Sequence, residues 1–255
     1  MTAMTSRAVT PKAGTSRSAA WLARGLCLVG GLAATVACGQ EAPSDPVGST
    51  DQPYFPLVAG SWWDYQHTDW SERVTVEAAE FGGAPAFLMS DSPNPEDSLR
   101  SDSIITSVAG RASRMNKEEF LIGADGSEVL TSSVTYGVGF TRFNEDWANQ
   151  AIGYRETPAY ELVETPPGGS PKAPEGRRHT FEVVALADDV TTSKGTFTCI
   201  VIQRTKDWEA EEEGLDPDEA QTKRYWFARG VGKVQELNVD SGRVETLTDF
   251  MIPSP

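Results

Sequence analysis

The stretch KGTFTCIVIQRT (194–205) is apolar on both faces from Cys199 to Ile202, as a strand covered on two sides would be. Its neighbours are segments of the same kind. HTFEVVALADD (179–189) alternates, with Phe181, Val183 and Ala185 on one face. KRYWFARG, GKVQELNV and GRVETLTDF follow, the last two joined by a hairpin at Asp240-Ser241-Gly242. Earlier in the chain RVTVEAAEF (73–81), SIITSVAG (103–110), EEFLIG (118–123) and SEVLTSSVTYGV (127–138) carry β-branched and aromatic residues. Turn formers separate them at FGGAP, GADGS, VDSGR and TPPGGSPKAPEG, and one short helix is expected near NEDWANQAI (144–152). The pattern predicts a mostly β protein. Residues 53–255 are expected to form a single antiparallel domain, a sandwich or a strongly curved half-barrel.

The chain ahead of that domain has a different character. Arg7, Lys12, Arg17 and Arg24 give a positive leader without a single Asp or Glu, followed by the uncharged run GLCLVGGLAATVA. The run has the length of a signal-peptide core and is too short to span a bilayer as a lasting helix. It ends on Thr35, Val36, Ala37 and Cys38, which resembles the bacterial lipobox, although Thr35 stands where Leu, Val or Ile is usual. That resemblance implies a signal peptide over 1–37, cleavage before Cys38, and acyl chains such as palmitate on that cysteine. Each buried methylene adds about 0.8 kcal/mol, so several chains make a lasting membrane anchor. Residues 39–52, polar and rich in Pro, Gly and Ser, read as a disordered tether from Cys38 to the body. Gly39 is not the Asp that retains enterobacterial lipoproteins in the inner membrane, so the expected address is the cell envelope, at the outer membrane.

Loss of residues 1–37 removes four basic residues and no acidic one, moving the formal charge from −15 to about −19. Such a surface repels phosphates, which argues against a nucleic-acid partner. Partners are instead expected to be the membrane, through Cys38, and a lipid or an envelope protein. Cys27 leaves with the leader and Cys38 is acylated, so Cys199 stands alone and no internal disulfide is expected.

Two segments have a family look. YFPLVAGSWWDYQ (54–66) resembles a Y-F-P-L-x-x-G-x-x-W-x-Y opening, and YWFARGVGKVQ (225–235) resembles a W-F-A-x-G-V-G-x-V close. KGTFTCIVIQRT resembles the A-G-T-F strand between them, with Lys194 replacing the small residue. Together they resemble an uncharacterised family of bacterial cell-envelope lipoproteins, which implies a β fold and an envelope address but no reaction. A lipoprotein-carrier half-barrel, cupping an acyl chain against a curved sheet, is the shape suspected. The motifs also have a physical reading. Trp63 and Tyr65 share one strand face, Gly60 permits a turn, and Gly230 and Gly232 suit a tight reversal or bulge around Val231.

Chemistry is sparse. His67 and His179 lie far apart with no Cys or His nearby, so both are expected to be solvated or hydrogen-bonded surface residues, and no metal or cofactor is expected. No Ser sits in G-x-S-x-G. Cys199, among Phe197, Ile200, Val201 and Ile202, reads as a core thiol, and burial of that kind lowers reactivity. DWEAEEEGLDPDEA (207–220) carries eight carboxylates in fourteen residues and reads as a solvated loop, with calcium binding as the alternative. The expected function is therefore a non-enzymatic, anchored binding domain, with Trp62, Trp63, Trp70 and Trp147 as candidates to line a cavity. A hydrolase with a dispersed site and a purely structural lipoprotein are the rivals. A deep apolar pocket would favour binding, a histidine beside a serine or carboxylate in a pocket would favour the hydrolase, and no pocket would favour the structural role. Trp226, opposite in facing to Tyr225 and Phe227, is expected in the core.

Overall fold

Alternating sequences with frequent turn formers commit a chain to strands, and among the described residues all but one of the regular elements are strands. A computed structural model describes residues 51–206 and 222–254, which belong to one compact unit. The strands are β1 (Trp62–Gln66), β2 (Ser71–Phe81), β3 (Ala84–Asp91), β4 (Leu99–Val108), β5 (Arg111–Ile122) and β6 (Glu128–Asn144). They continue as β7 (Arg155–Glu156), β8 (Ala159–Thr165), β9 (Glu175–Thr192), β10 (Gly195–Lys206), β11 (Thr222–Ala228), β12 (Gly232–Asn238) and β13 (Val244–Met251). Cys38, the tether up to residue 50 and the acidic segment 207–220 lie outside the described residues.

The helix expected over 144–152 is a five-residue 3-10 turn, Glu145–Asn149. Asn144 caps it by accepting from the Asp146 amide, and Gln150 is already extended, so the turn cannot continue. Trp147 is its one buried residue, which leaves no apolar stripe to hold a longer helix against the body.

Each strand pairs antiparallel with the next from β1 to β6 and from β8 to β13, and β6 pairs with β8. β13 then pairs with β1, Trp63 opposite Phe250 and Tyr65 opposite Leu247, which closes twelve strands into a barrel. The two-residue β7 lies outside this circuit, on β9. The antiparallel β domain expected from the sequence is thus present, and its sheet curves past a half-barrel to closure. Bulges supply part of the curvature, at Arg142 in β6, at Val234 in β12 and twice in the β9–β10 pair. Closure gives every strand of the circuit a partner on both sides.

One end of the barrel is covered by the opening YFPL. The Tyr54 and Phe55 amides donate to the Glu145 carboxylate, and the Gly230 amide donates to the Pro53 carbonyl. Phe55 stacks on Phe143 and meets Phe227 edge-on, while Gly60 turns the chain into β1 at a φ of +89°.

β10 divides its side chains between two apolar clusters. Phe197, Cys199 and Val201 join one with Trp226 and Ala228, and Ile200 and Ile202 join the other with Phe227 and Phe181. The end of the β9–β10 hairpin reaches β13, where Ser193 Oγ donates to the Thr248 carbonyl at 2.9 Å and Lys194 pairs with Asp249 at 2.8 Å. This brings Val190 and Phe197 into the first cluster. Trp226 is 8% exposed, and its Nε1 donates to Asp188 at 2.7 Å. It is a core residue, as its facing in the sequence implied.

Candidate functional site

A barrel of twelve strands has a lumen wider than its own apolar side chains fill, and here it holds a cavity of about 400 Å³. Inward positions follow from alternation. β1 contributes Trp63 and Tyr65, the residue after it is His67, β2 contributes Glu72 and Val74, and β11 contributes Lys223, Tyr225 and Phe227. Phe55, Pro56 and Leu57 form part of the wall as the covering segment crosses. Val231 accepts from Trp63 Nε1 at 2.5 Å, and a Cβ on Gly232 would press to 3.3 Å from that nitrogen, so the reversal needs glycine at this place.

One side of the lumen is a paired charge network. The extra residue Val234 shifts the register so that Lys233, not Val234, pairs with inward-facing Phe227. Lys233 Nζ reaches Glu245 at 2.6 Å and Glu236 at 3.0 Å, and Lys223 Nζ reaches Glu236 at 2.6 Å. Burial alone would raise the Glu236 carboxyl, but Lys233 and Lys223 outweigh it and hold the group well below the usual range. Burial would likewise lower Lys233, and Glu236 and Glu245 more than reverse this. Glu245 and Asp91 move the other way, raised by burial and then by neighbouring carboxylates. The Tyr65 phenol is raised by burial and donates to the Lys233 carbonyl at 3.0 Å.

Three guanidinium groups also enter the lumen, two of them from β5 and β6 and the third, Arg204, beside Lys223 in the β10–β11 pair. Arg114 comes from β5, Arg142 is the extra residue of the β6 bulge, and Arg204 follows Ile200 and Ile202 on the inward face of β10. Arg204 lies 5.6 Å from the Phe140 ring centre and 5.5 Å from that of Tyr225. Arg114 is pushed down to about 10 by burial and then by Arg142, although Tyr136 and Asp91 act against this. Next to this group His179, 4% exposed, stacks on Tyr160, whose hydroxyl is 3.1 Å from His179 Nδ1. Burial and then Arg204, Lys206 and Arg177 push its imidazole down to about 3.

The surface role expected for the histidines is overturned for His179, which is buried, while His67 is half-buried. His179 alternates with Phe181 and Val183, and that alternation carries it inward. His67 shares the face of Trp63 and Tyr65, lies against Trp70 with ring centres 4.0 Å apart, and has Nε2 3.5 Å from Glu72. His67, Glu72 and Glu245 bring ligand-type atoms within 4.8 Å of one another, a grouping not foreseen because Glu245 comes from β13, far along the chain from the other two. The Lys233 ammonium already neutralises this cluster at Glu245.

Of the four tryptophans proposed to line a cavity, Trp63 and Trp70 do so. Trp62 faces the other way, as the neighbour of Trp63 must, and lies under the Arg73 guanidinium at 4.3 Å. Trp147, 1% exposed, packs on Phe143 and Phe181 and donates from Nε1 to Glu156 at 2.8 Å, outside the cavity wall. Cys199 is fully buried away from the lumen, donates to the Phe197 carbonyl, and is pushed up to about 12 by burial and then by Asp188 and Asp189. The arginines of the lumen were missed. The available signal was the spacing of Ile200, Ile202 and Arg204, which places Arg204 on an apolar face.

No protein-family model matches the sequence, and no curated protein is similar to it. Two solved structures align with it. One is described as an exported protein with a YmcC-like fold from Bacteroides fragilis, at 14% identity and a TM-score of 0.41, covering 79% of this chain and all of its own. The other is described as a lipoprotein from Parabacteroides distasonis, at 12% identity and a TM-score of 0.42, covering 78% of this chain and 99% of its own.

Proposed function

We propose that this protein is a membrane-anchored envelope lipoprotein whose barrel binds a small molecule in its lumen without transforming it. The observation that carries the binding role is the cavity of about 400 Å³, walled by Trp63, Tyr65, Phe140, Phe181 and Phe227 with charged groups among them. That volume suits a small-molecule site, for which volumes run from roughly 300 to 1,000 Å³, and the wall sets aromatic surface beside charged groups. The basic leader and the Val-Ala-Cys ending support the anchor at Cys38, with the outer membrane as the address.

Native mass spectrometry of the intact chain, isolated from its own envelope, tests the binding role. A small molecule should accompany the folded chain and leave on denaturation. A chain that carries none, and whose melting temperature no member of a chemically broad ligand set raises, contradicts it. The anchor has its own test. Cys38→Ser should accumulate uncleaved precursor and lose palmitate labelling, and unchanged labelling would sink the assignment.

One observation favours the hydrolase instead. His67 beside Glu72 in a cavity is a pair able to take a proton from water. Among the described residues no hydroxyl or thiol hydrogen-bonds His67, and stacking on Trp70 fixes its ring, so binding is the preferred reading. Ester hydrolysis by the parent that His67→Gln abolishes would reverse that preference.

A further inference from the structure

We infer that the lumen selects a ligand with an anionic head and a compact apolar body, the head held by Arg114, Arg142 and Arg204. This rests on the lumen-binding reading above and names the chemistry of its ligand. The first observation is a charge imbalance within one cavity. Lys233 and Lys223 pair with Glu236 and Glu245, and Glu72 lies beside His67, which leaves Asp91 as the carboxylate set against three arginines. None of the three arginines makes an ion pair among the described residues. Arg114 has the Tyr136 phenol as a partner and Asp91 as the carboxylate acting on it, and Arg204 has only the faces of Phe140 and Tyr225.

The second observation is unused hydrogen-bonding capacity. The Nε atoms of Arg114 and Arg204 are both buried and have no hydrogen-bond partner. A guanidinium carries five donors, and leaving a buried donor of a charged group unmet is costly. Arginine stays charged in proteins, so the remedy is a counter-ion rather than loss of a proton. Arg114 and Arg142 also repel one another, and an anion between them would turn that repulsion into attraction. Carboxylate and phosphate oxygens match the guanidinium fork, which makes them the natural heads.

Phe140 links head to body. It pairs with Arg114 across β5 and β6, lies under Arg204, and belongs to the apolar cluster with Phe181 and Phe227. A ligand whose head meets the arginines therefore has aromatic surface next to it. The cavity volume suits one ring or one short chain rather than a diacyl lipid.

Calorimetric titration of the intact chain with 4-phenylbutyrate, 4-phenylbutanol and 4-phenylbutylamine tests the head, and acetate and inorganic phosphate test the body. Phenylbutyrate should bind at least tenfold more tightly than the alcohol, the amine no better than the alcohol, and both small ions at least tenfold more weakly than phenylbutyrate. Arg142→Gln and Arg204→Gln should each weaken phenylbutyrate by tenfold or more and leave the alcohol within twofold. Two sites are varied so that a misfolded variant, identified by its thermal melt, still leaves one to read. Equal binding of acid and alcohol, unaffected by either substitution, overturns the anionic head and leaves lumen binding intact. Acetate or phosphate binding as tightly as phenylbutyrate overturns the apolar body. No binding of any probe to the parent removes the lumen-binding reading, and this inference with it.

Discussion

Trp226 shows how one residue can join two requirements, since it fills the cluster around Cys199 and Val201 and also satisfies Asp188. Trp226→Ala should therefore destabilise the barrel by about 3–5 kcal/mol, measured by urea denaturation. A variant with a near-parental midpoint would contradict its core role. His179 offers a prediction with a definite sign. Its pKa is 6.5 when exposed in the unfolded chain and about 3 in the folded barrel. Between those values the unfolded state binds the extra proton, so acid weakens the fold across that window, by at most about 1.4 kcal/mol per pH unit. Above 6.5 the imidazole is neutral in both states and contributes no slope. Subtracting the stability of His179→Phe at each pH cancels the titration of the carboxylates. The parent should lose ground to the variant as pH falls from 7 to 4, and a constant difference would refute the buried neutral imidazole.

At the level of elements, the segment 53–57 is held to the barrel end mainly by one side chain. Glu145 accepts from the Tyr54 amide at 2.9 Å and the Phe55 amide at 3.1 Å. Burial raises its carboxyl while those amides pull it down, so the group is desolvated for the sake of these bonds. Glu145→Ala strands two amides beneath an aromatic cover and should cost about 1–3 kcal/mol. Hydrogen exchange at Tyr54 and Phe55 should accelerate well beyond the change at β1. Glu145→Gln keeps an acceptor and should lose less. Equal losses for both substitutions would point to packing rather than to the bonds. The bulges act at the same scale, because an extra residue changes which way its neighbours face. That of β12 turns Lys233 into the lumen, and that of β6 adds Arg142 to it.

For the whole molecule, closure is the governing feature. β1 and β13 stand at opposite ends of the described chain, and their pairing removes the edges an open sheet would present. A closed ladder should resist local opening, so Cys199 serves as its reporter. The thiol is fully buried, pushed up to about 12, and lies in the interior of β10. Iodoacetamide should modify it only as fast as the barrel unfolds globally, with a rate that rises steeply with denaturant. Modification at a rate insensitive to low denaturant would reveal a local opening of the β9–β10 pair.

Much of this was legible without a structure. The alternation in HTFEVVALADD, the two-sided apolar run at Cys199–Ile202, the hairpin at 240–242 and the glycines around Val231 specify strands and reversals locally, because φ, ψ and side-chain facing are set by near neighbours. Trp63 and Tyr65 share a buried face for the same reason. Alternation tells which residues share a face, but what that face meets is decided by strands far away in the chain. His67 looked solvated because its sequence neighbours are polar, and it is drawn inward by a lumen to which β2 brings Glu72 and β13 brings Glu245. Bulges further break the period of two at Arg142 and Val234, so facing there follows from cross-strand register and not from local pattern. Sequence alone thus determined an antiparallel β chain and its turns. Only the tertiary structure decided that the sheet closes and that charged side chains line its interior, because closure depends on pairing β1 with β13 and makes one face of every strand an inside.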